Sequence, residues 1–168
     1  MAKDEYEGMP GVVGIRIDDR LIHGQVVAYW SNSLQLTRIM VANDEVAVDD
    51  MRKTVLRMAV PAGIKSSIIP VERAAKQILE GKYAGQRVFL IVNSPADILR
   101  LIDYGLPIKK FNVGNLGGKE DTKPIKKYVN VTDEQMRQFR ELLDRGIEIT
   151  TQLVPQDPVT HLTDYLDK

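Results

Sequence analysis

Most of the side chains able to do polar chemistry sit in one short run, Asp18-Asp19-Arg20-Leu21-Ile22-His23-Gly24-Gln25. The chain has two histidines, His23 and His161, and no cysteine, so a nucleophilic ring has two possible addresses. His23 precedes a helical pattern (Val26 to Leu34) and is therefore expected at or just before a helix N-terminus. Free backbone N–H groups and the positive end of the helix dipole lie there. That setting favours the neutral, nucleophilic ring, and the same N–H groups suit a phosphoryl group carried on it. Arg20 offers a planar guanidinium that can bridge phosphoryl oxygens through paired hydrogen bonds. Gly24 lets the backbone approach closely, and Gly24 with Gln25 forms the expected phosphate cradle. Asp18 or Asp19 can hold Arg20 or the ring in place; Asp19 is the expected orienting residue. Nucleophile, anion cradle and charge clamp together describe a phosphohistidine site. The plainer account is a capping or surface histidine, with Arg20 in an exposed ion pair worth little. The residues alone leave both readings open.

The elements that must position this run are well marked. Val12 to Asp18, Arg38 to Asn43, Lys65 to Val71, Arg87 to Asn93, Lys110 to Val113 and Ile147 to Leu153 read as strands, with a shorter candidate at Lys127 to Val131. The run at Arg87 to Asn93 is almost wholly apolar, as in a strand covered on both faces. Between them lie helical patterns. Val27, Trp30 and Leu34 follow the first strand. Val48, Met51, Val55 and Met58 follow the second. Val71, Ala74, Ala75, Ile78 and Leu79 end near Gly81. Ser94-Pro95 with Asp97 opens another helix, and Thr132 with Gln135 a further one with a stripe of Met136, Phe139 and Leu143. Strand–helix alternation with short connections predicts a single α/β domain. Its expected core is a mainly parallel, open, twisted sheet of about six to seven strands with helices on both faces. Residues 1–10 read as a polar N-terminal tail and residues 11–168 as the domain. In such sheets, sites lie at the carboxyl ends of the strands, which is where the Asp18–His23 loop falls.

Composition narrows the classes. The 168 residues carry 23 basic and 23 acidic side chains, which disfavours a nonspecific nucleic-acid binder. Without cysteine there is no disulfide scaffold, thiolate zinc site or cysteine nucleophile. No apolar run of about 18 residues marks a membrane span, and the polar start is no secretory signal, so a cytoplasmic location is expected.

Other features read more weakly. Gly114-Asn115-Leu116-Gly117-Gly118-Lys119 is not a Walker loop: Val113 stands where the leading glycine belongs, and Glu120 follows the lysine. It is a turn, or a loop beside His23. Asp49 and Asp50 suit the first turn of a helix. Asp18 with Asp19 lacks a third metal ligand, and no metal is expected. His161 reads as a surface or packing residue and Trp30 as core. Lys109, Lys110, Lys119, Lys123, Lys126 and Lys127 are a local basic bias, either a solvated face or a contributor to docking.

The segment from Gly14 to Val26 closely resembles the opening of IIB components of the bacterial phosphoenolpyruvate-dependent sugar phosphotransferase system, in the mannose/fructose/sorbose family. Val41-Ala42-Asn43-Asp44, the Asn112-Val113-Gly114-Asn115 turn and Gly146-Ile147-Glu148-Ile149 leading into Gln152-Leu153-Val154-Pro155 fit the same family, so the likeness spans about residues 11–166. The resemblance implies that His23 accepts a phosphoryl group, at Nδ1, from a phosphohistidine of a IIA protein. His23 would then pass it to a sugar held by the membrane IIC and IID components during uptake. Arg20 maps onto the family's arginine. No cofactor is implied, because Arg20 and loop N–H groups can supply the charge that a metal supplies elsewhere. The chain would meet the membrane only peripherally. The competing expectation is a non-catalytic α/β ligand-binding or regulatory domain of the same fold.

Overall fold

The computed structural model describes residues 5–166. The chain runs β1 (Val12–Asp18), α1 (Gly24–Leu34), β2 (Arg38–Ala42), α2 (Asp44–Ala47), α3 (Asp50–Met58), β3 (Lys65–Ile69), α4 (Val71–Leu79), β4 (Val88–Val92), α5 (Pro95–Asp103), β5 (Lys110–Asn115), β6 (Lys123–Lys126), β7 (Val129–Val131), α6 (Asp133–Asp144), β8 (Glu148–Thr151) and β9 (Thr160–His161). A single 3-10 turn, Leu162–Tyr165, follows. The main sheet has seven strands in the order β3-β2-β4-β1-β5-β8-β9. Its pairings are parallel except for the antiparallel β8–β9 edge. The fold class read from the sequence is the one observed.

The β1 strand lies inside the sheet, hydrogen-bonded to β4 on one side and β5 on the other. Every residue of β4 is buried, as its unbroken apolar run requires. On one face of the sheet, α4, α5 and α6 close the larger core through residues such as Ala74, Ile78, Ile98, Leu101 and Phe139. On the other, α1 closes a smaller core with Val27 and Trp30 against Phe89 and Ile91. The indole of Trp30 stacks on Phe89 with ring centroids 5.7 Å apart and donates to the Leu153 carbonyl at 3.1 Å. Trp30 is thus core, as its place on the apolar stripe predicts. The caps also hold. Ser94 receives the Asp97 N–H, and Thr132 and Gln135 exchange backbone-to-side-chain bonds of 3.0 Å each way.

Five sequence expectations are corrected. The stretch Lys127 to Val131 joins no parallel sheet: β7 pairs antiparallel with β6 in a separate small ribbon. The Val48–Met58 pattern is split into α2 and α3, and its apolar stripe faces solvent. The pattern is periodic but does not say which side faces inward. Here Leu56, Ala59 and Val60 are the residues packed against the smaller core. In α6, Leu142 and not Leu143 is fully buried beside Phe139. The strand expected to continue to Val71 stops at Ile69, because Pro70 lacks an N–H and starts α4 as its N-cap. Within the expected polar tail, Met9 is buried in the larger core and Lys110 pairs with Glu5 at 2.8 Å. Residues 1–4 of that tail lie outside the described residues.

Candidate functional site

The site begins where β1 ends. After Asp18 the chain turns tightly, with the Leu21 N–H donating to the Asp18 carbonyl at 2.9 Å. Leu21 adopts φ 63°, a left-handed conformation that disfavours a branched side chain. The strain is of order 1–2 kcal/mol, and burial of the Leu21 side chain, worth about 1.5–3 kcal/mol, offsets it. The turn delivers His23 to the N-cap of α1, whose first helical bond is Val27 N–H to the His23 carbonyl at 2.9 Å.

His23 does not behave as a capping residue. Its side chain makes no cap bond, and the first turn of α1 holds no acid. By contrast, Asp49 caps α3 by accepting from the Arg52 N–H at 3.1 Å. The half-buried imidazole has its Nδ1 shielded from solvent and without a hydrogen-bond partner. A shielded polar atom with no partner is costly and uncommon in a folded protein. Here it belongs to the imidazole at the N-cap of α1, a terminus that receives no side-chain cap bond.

Arg20 is held from behind. Asp18, 1% exposed, accepts the Arg20 backbone N–H at 3.0 Å and Nε at 2.9 Å on Oδ1, and Nη2 at 2.9 Å on Oδ2. Asp18 is in turn held by Arg16, equally buried, whose Nη2 donates to Oδ2 at 3.2 Å. The other end of Arg16 donates to the Gln152 carbonyl at 3.0 Å, and its guanidinium lies 5.7 Å from the Trp30 ring. Burial pulls the Arg16 guanidinium below its ordinary pKa, while Asp18 pulls it back up. Two guanidinium groups share one carboxylate, so the assembly keeps a positive charge to offer an anion. Arg20 is the more exposed member, and its Nη1 takes no part in the pairing.

Asp19, expected as an orienting residue for Arg20 or the ring, bonds to the end of β5 and the segment after it. It accepts from Asn115 Nδ2 at 2.9 Å and from the Gly117 N–H at 2.7 Å, and its own N–H donates to the Asn115 carbonyl at 3.0 Å. Successive strand residues face opposite ways, so Arg16 and Asp18 share a side of β1 and Asp19 turns from it. Orientation falls to Asp18, and Asp19 ties the loop after β1 to the loop after β5. Gly114 and Asn115 close β5, and the loop that follows, from Leu116 to Lys119, is bonded to the loop after β1 through Asp19.

Gly114 has a definite job. A Cβ there would lie 1.9–2.2 Å from the Arg16 guanidinium atoms, so only glycine leaves room for the buried arginine. Gly24 has no such need: its Cβ position would meet only Ala59, at 3.7–3.8 Å. Gln25 is exposed, and its Nε2 donates to the Tyr29 hydroxyl at 3.4 Å. A polar cleft of about 240 Å³ lies beside Asp19, walled by residues including Ser94, Lys119, Asn130 and Thr132; His23 is not among its lining residues.

The remaining candidates disperse. His161 pairs with Glu148 at 2.9 Å on the exposed β8–β9 edge. The lysine run is no single patch. Lys110 opens β5 and pairs with Glu5, Lys119 lies past the other end of that strand, and Lys123 approaches Asp133 at 3.8 Å. Among the described residues, no three His, Asp or Glu side chains gather as a metal site. The sequence marks Gly114, Asn115 and Gln152 only as parts of family-like stretches, and does not reveal that they and Arg16 support the clamp. The available signal was a charged pair, Arg16 and Asp18, on alternate positions of an otherwise apolar strand.

Comparison with known proteins bears on this geometry. The family model for the PTS system sorbose subfamily IIB component matches residues 12–168. The chain belongs to this family. It is 37% identical over 158 residues to the PTS system mannose-specific EIIAB component of Escherichia coli (strain K12), covering 94% of this chain and 49% of that one. The chain thus spans about half the length of that relative. It is 36% identical to the PTS system fructose-specific EIIB component of Bacillus subtilis (strain 168), over 89% of this chain and 91% of the relative. Among solved structures, the IIBSor domain of the sorbose permease from Klebsiella pneumoniae superposes with a TM-score of 0.85 at 33% identity, over 92% of this chain and 94% of that one. As a IIB component, this chain carries His23 at the N-cap of α1 and its clamped arginine in the loop after the first strand. No helix among its described residues is long and apolar enough to cross a membrane.

Proposed function

We propose that this chain is the phosphocarrier of a sugar phosphotransferase system, with His23 as the carrier residue. The observation that carries the reading is the pairing of an uncapped α1 N-terminus and an unpaired His23 Nδ1 with Arg20, held rigid by Asp18. In the first step a ring nitrogen of His23 attacks the phosphorus of a phosphohistidine on a IIA partner. A new P–N bond forms, the old one breaks, and the donor ring keeps the electron pair. In the second step a sugar hydroxyl attacks the same phosphorus. The P–N bond to His23 breaks, the ring nitrogen recovers its electron pair, and the hydroxyl proton leaves to the ring or to water. The charge in such transfers spreads over the equatorial phosphoryl oxygens, so positioning and electrostatics supply most of the catalysis. Arg20 and the first N–H groups of α1, including those of Gly24 and Gln25, are the donors for those oxygens.

His23 is partly exposed, which suits a ring that meets two macromolecules in turn. The Nδ1 atom has no hydrogen bond to break before the ring turns toward an incoming phosphorus. The donor is a IIA protein or domain, and the acceptor is a sugar held by membrane IIC and IID components. A cytoplasmic protein that touches the membrane only through those partners fits this role. The Escherichia coli relative is named as an EIIAB component, one chain carrying both designations.

The reading is tested by reconstituting the whole relay. Purified protein is charged by the general phosphotransferase proteins and a IIA partner, then mixed with membranes holding the IIC and IID components and a radiolabelled hexose or N-acetylated amino sugar. Sugar phosphate that appears only when this chain is present supports the reading. A chain that is charged but never discharges to any such sugar is a regulator and contradicts it.

A further inference from the structure

One surface is not used by the site described above. Val48, Met51, Val55 and Met58 are 81%, 79%, 60% and 81% exposed. The spacing of Met51, Val55 and Met58 stacks those three along one side of α3, and Val48 lies just before the helix. No residue of α3 is fully buried, and the helix is held from its opposite side through Leu56, Ala59 and Val60. Scattered exposed apolar residues are ordinary, but a continuous row of large ones marks an interaction surface.

Resting on the phosphocarrier reading, we propose that this ridge on α3 is the landing surface for the phosphohistidine-bearing IIA partner. The C-terminal end of α3 lies beside the reactive loop. Its last residue, Met58, precedes Ala59, and Ala59 is the neighbour that the Cβ position of Gly24 would meet at 3.7–3.8 Å. Gly24 follows His23, so a protein that brings its own ring to His23 also covers the end of α3. The residue types suit a brief encounter. Methionine side chains are flexible and polarisable and repack against differing surfaces, and transient complexes occupy the small end of interface sizes, below about 1,200 Å². The flanks carry a sign. Arg52 and Arg57 are exposed and form no ion pair among the described residues, while the nearby Asp50 is engaged with Lys53 at 3.8 Å. The matching partner surface is apolar at its centre with an acidic rim.

The test compares two phosphoryl donors on the full chain. Phosphoramidate, a small molecule, can label a reactive histidine without a docking surface; phosphorylated IIA cannot. A double variant, Met51→Glu with Met58→Glu, is set beside Met51→Leu with Met58→Leu. For the glutamate pair the expected result is at least a tenfold loss of kcat/KM with phosphorylated IIA, carried by KM, and unchanged labelling by phosphoramidate. The leucine pair should keep most of the IIA rate. Unchanged IIA kinetics in the glutamate pair overturns the proposal. So does a defect confined to the onward step at the membrane, which assigns the ridge to the IIC and IID components, or a loss of self-association with transfer intact. If wild-type protein takes a phosphoryl group from neither donor, the phosphocarrier reading itself falls.

Discussion

Asp18 grips Arg20 at three points, through the backbone N–H at 3.0 Å, Nε at 2.9 Å and Nη2 at 2.9 Å. The side-chain part of that grip needs a planar fork, so a point charge cannot reproduce it. Arg20→Lys should fold as wild type and slow phosphoryl transfer by roughly 10–100-fold, the equivalent of one charge-assisted hydrogen bond. Rapid-quench rates with a phosphorylated IIA donor check this. Equal rates would remove Arg20 from the mechanism.

Asp18 and Asp19 are adjacent but should fail differently. Asp18→Ala leaves the Arg16 guanidinium buried without its carboxylate, which costs about 3–5 kcal/mol and shows as a large fall in Tm. Asp19→Ala removes the bonds to Asn115 and Gly117. It should mainly speed amide exchange over residues 115–122, with a smaller effect on Tm and on transfer rate. Equal losses of stability would contradict the division of labour between the two acids.

Gly114→Ala forces a methyl group into the space of the Arg16 guanidinium. Overpacking of this kind costs about 1–3 kcal/mol or more. The substitution should lower stability and also slow transfer, because displacing Arg16 loosens Asp18 and through it Arg20. Gly24→Ala, which meets only ordinary contacts, should leave Tm nearly unchanged. Denaturant titrations of the two variants make the comparison.

The reach of the sequence follows from these distances along the chain. His23 and Arg20 were legible because nucleophile and clamp lie in one contiguous loop at a strand's carboxyl end. The role of Arg16 was not, because its partners Gln152 and Gly114 are brought to it only by the parallel pairing of β1 with β5 and β5 with β8. Asp18 and Asp19 differ only in which side of the chain they face, and that depends on where β1 stops. Regular strands and helices read well wherever burial imposed a period. Helix α3 shows the limit: its apolar stripe revealed a helix, but the inward side was set by Leu56 and Ala59, which look no more apolar than the ridge. The two-residue β9 is too short to show any period.

Asp97 gives the chain a pH signature. Burial, more than any other influence, raises its pKa from 3.8 to about 6, with Arg100 at 3.7 Å opposing. The folded state therefore holds the proton more tightly than the unfolded chain. The stability Asp97 contributes is complete below the unfolded value and is lost as pH rises through about 6. Asp97→Asn, which cannot ionise, should match wild type near pH 4 and exceed it above about pH 7, by on the order of 2–3 kcal/mol. Tm measured across that range checks the sign. A variant less stable than wild type at neutral pH would contradict it.

The central claim is that His23 carries the phosphoryl group. Its most direct measurement is intact-protein and peptide mass spectrometry after incubation with phosphoenolpyruvate, the general phosphotransferase proteins and a IIA partner, at neutral pH to preserve the P–N bond. The account predicts a gain of about 80 Da, one phosphoryl group, located on the peptide containing His23, labile to acid and absent from His23→Ala. An acid-labile gain that persists in His23→Ala, or one that maps to His161, would contradict it.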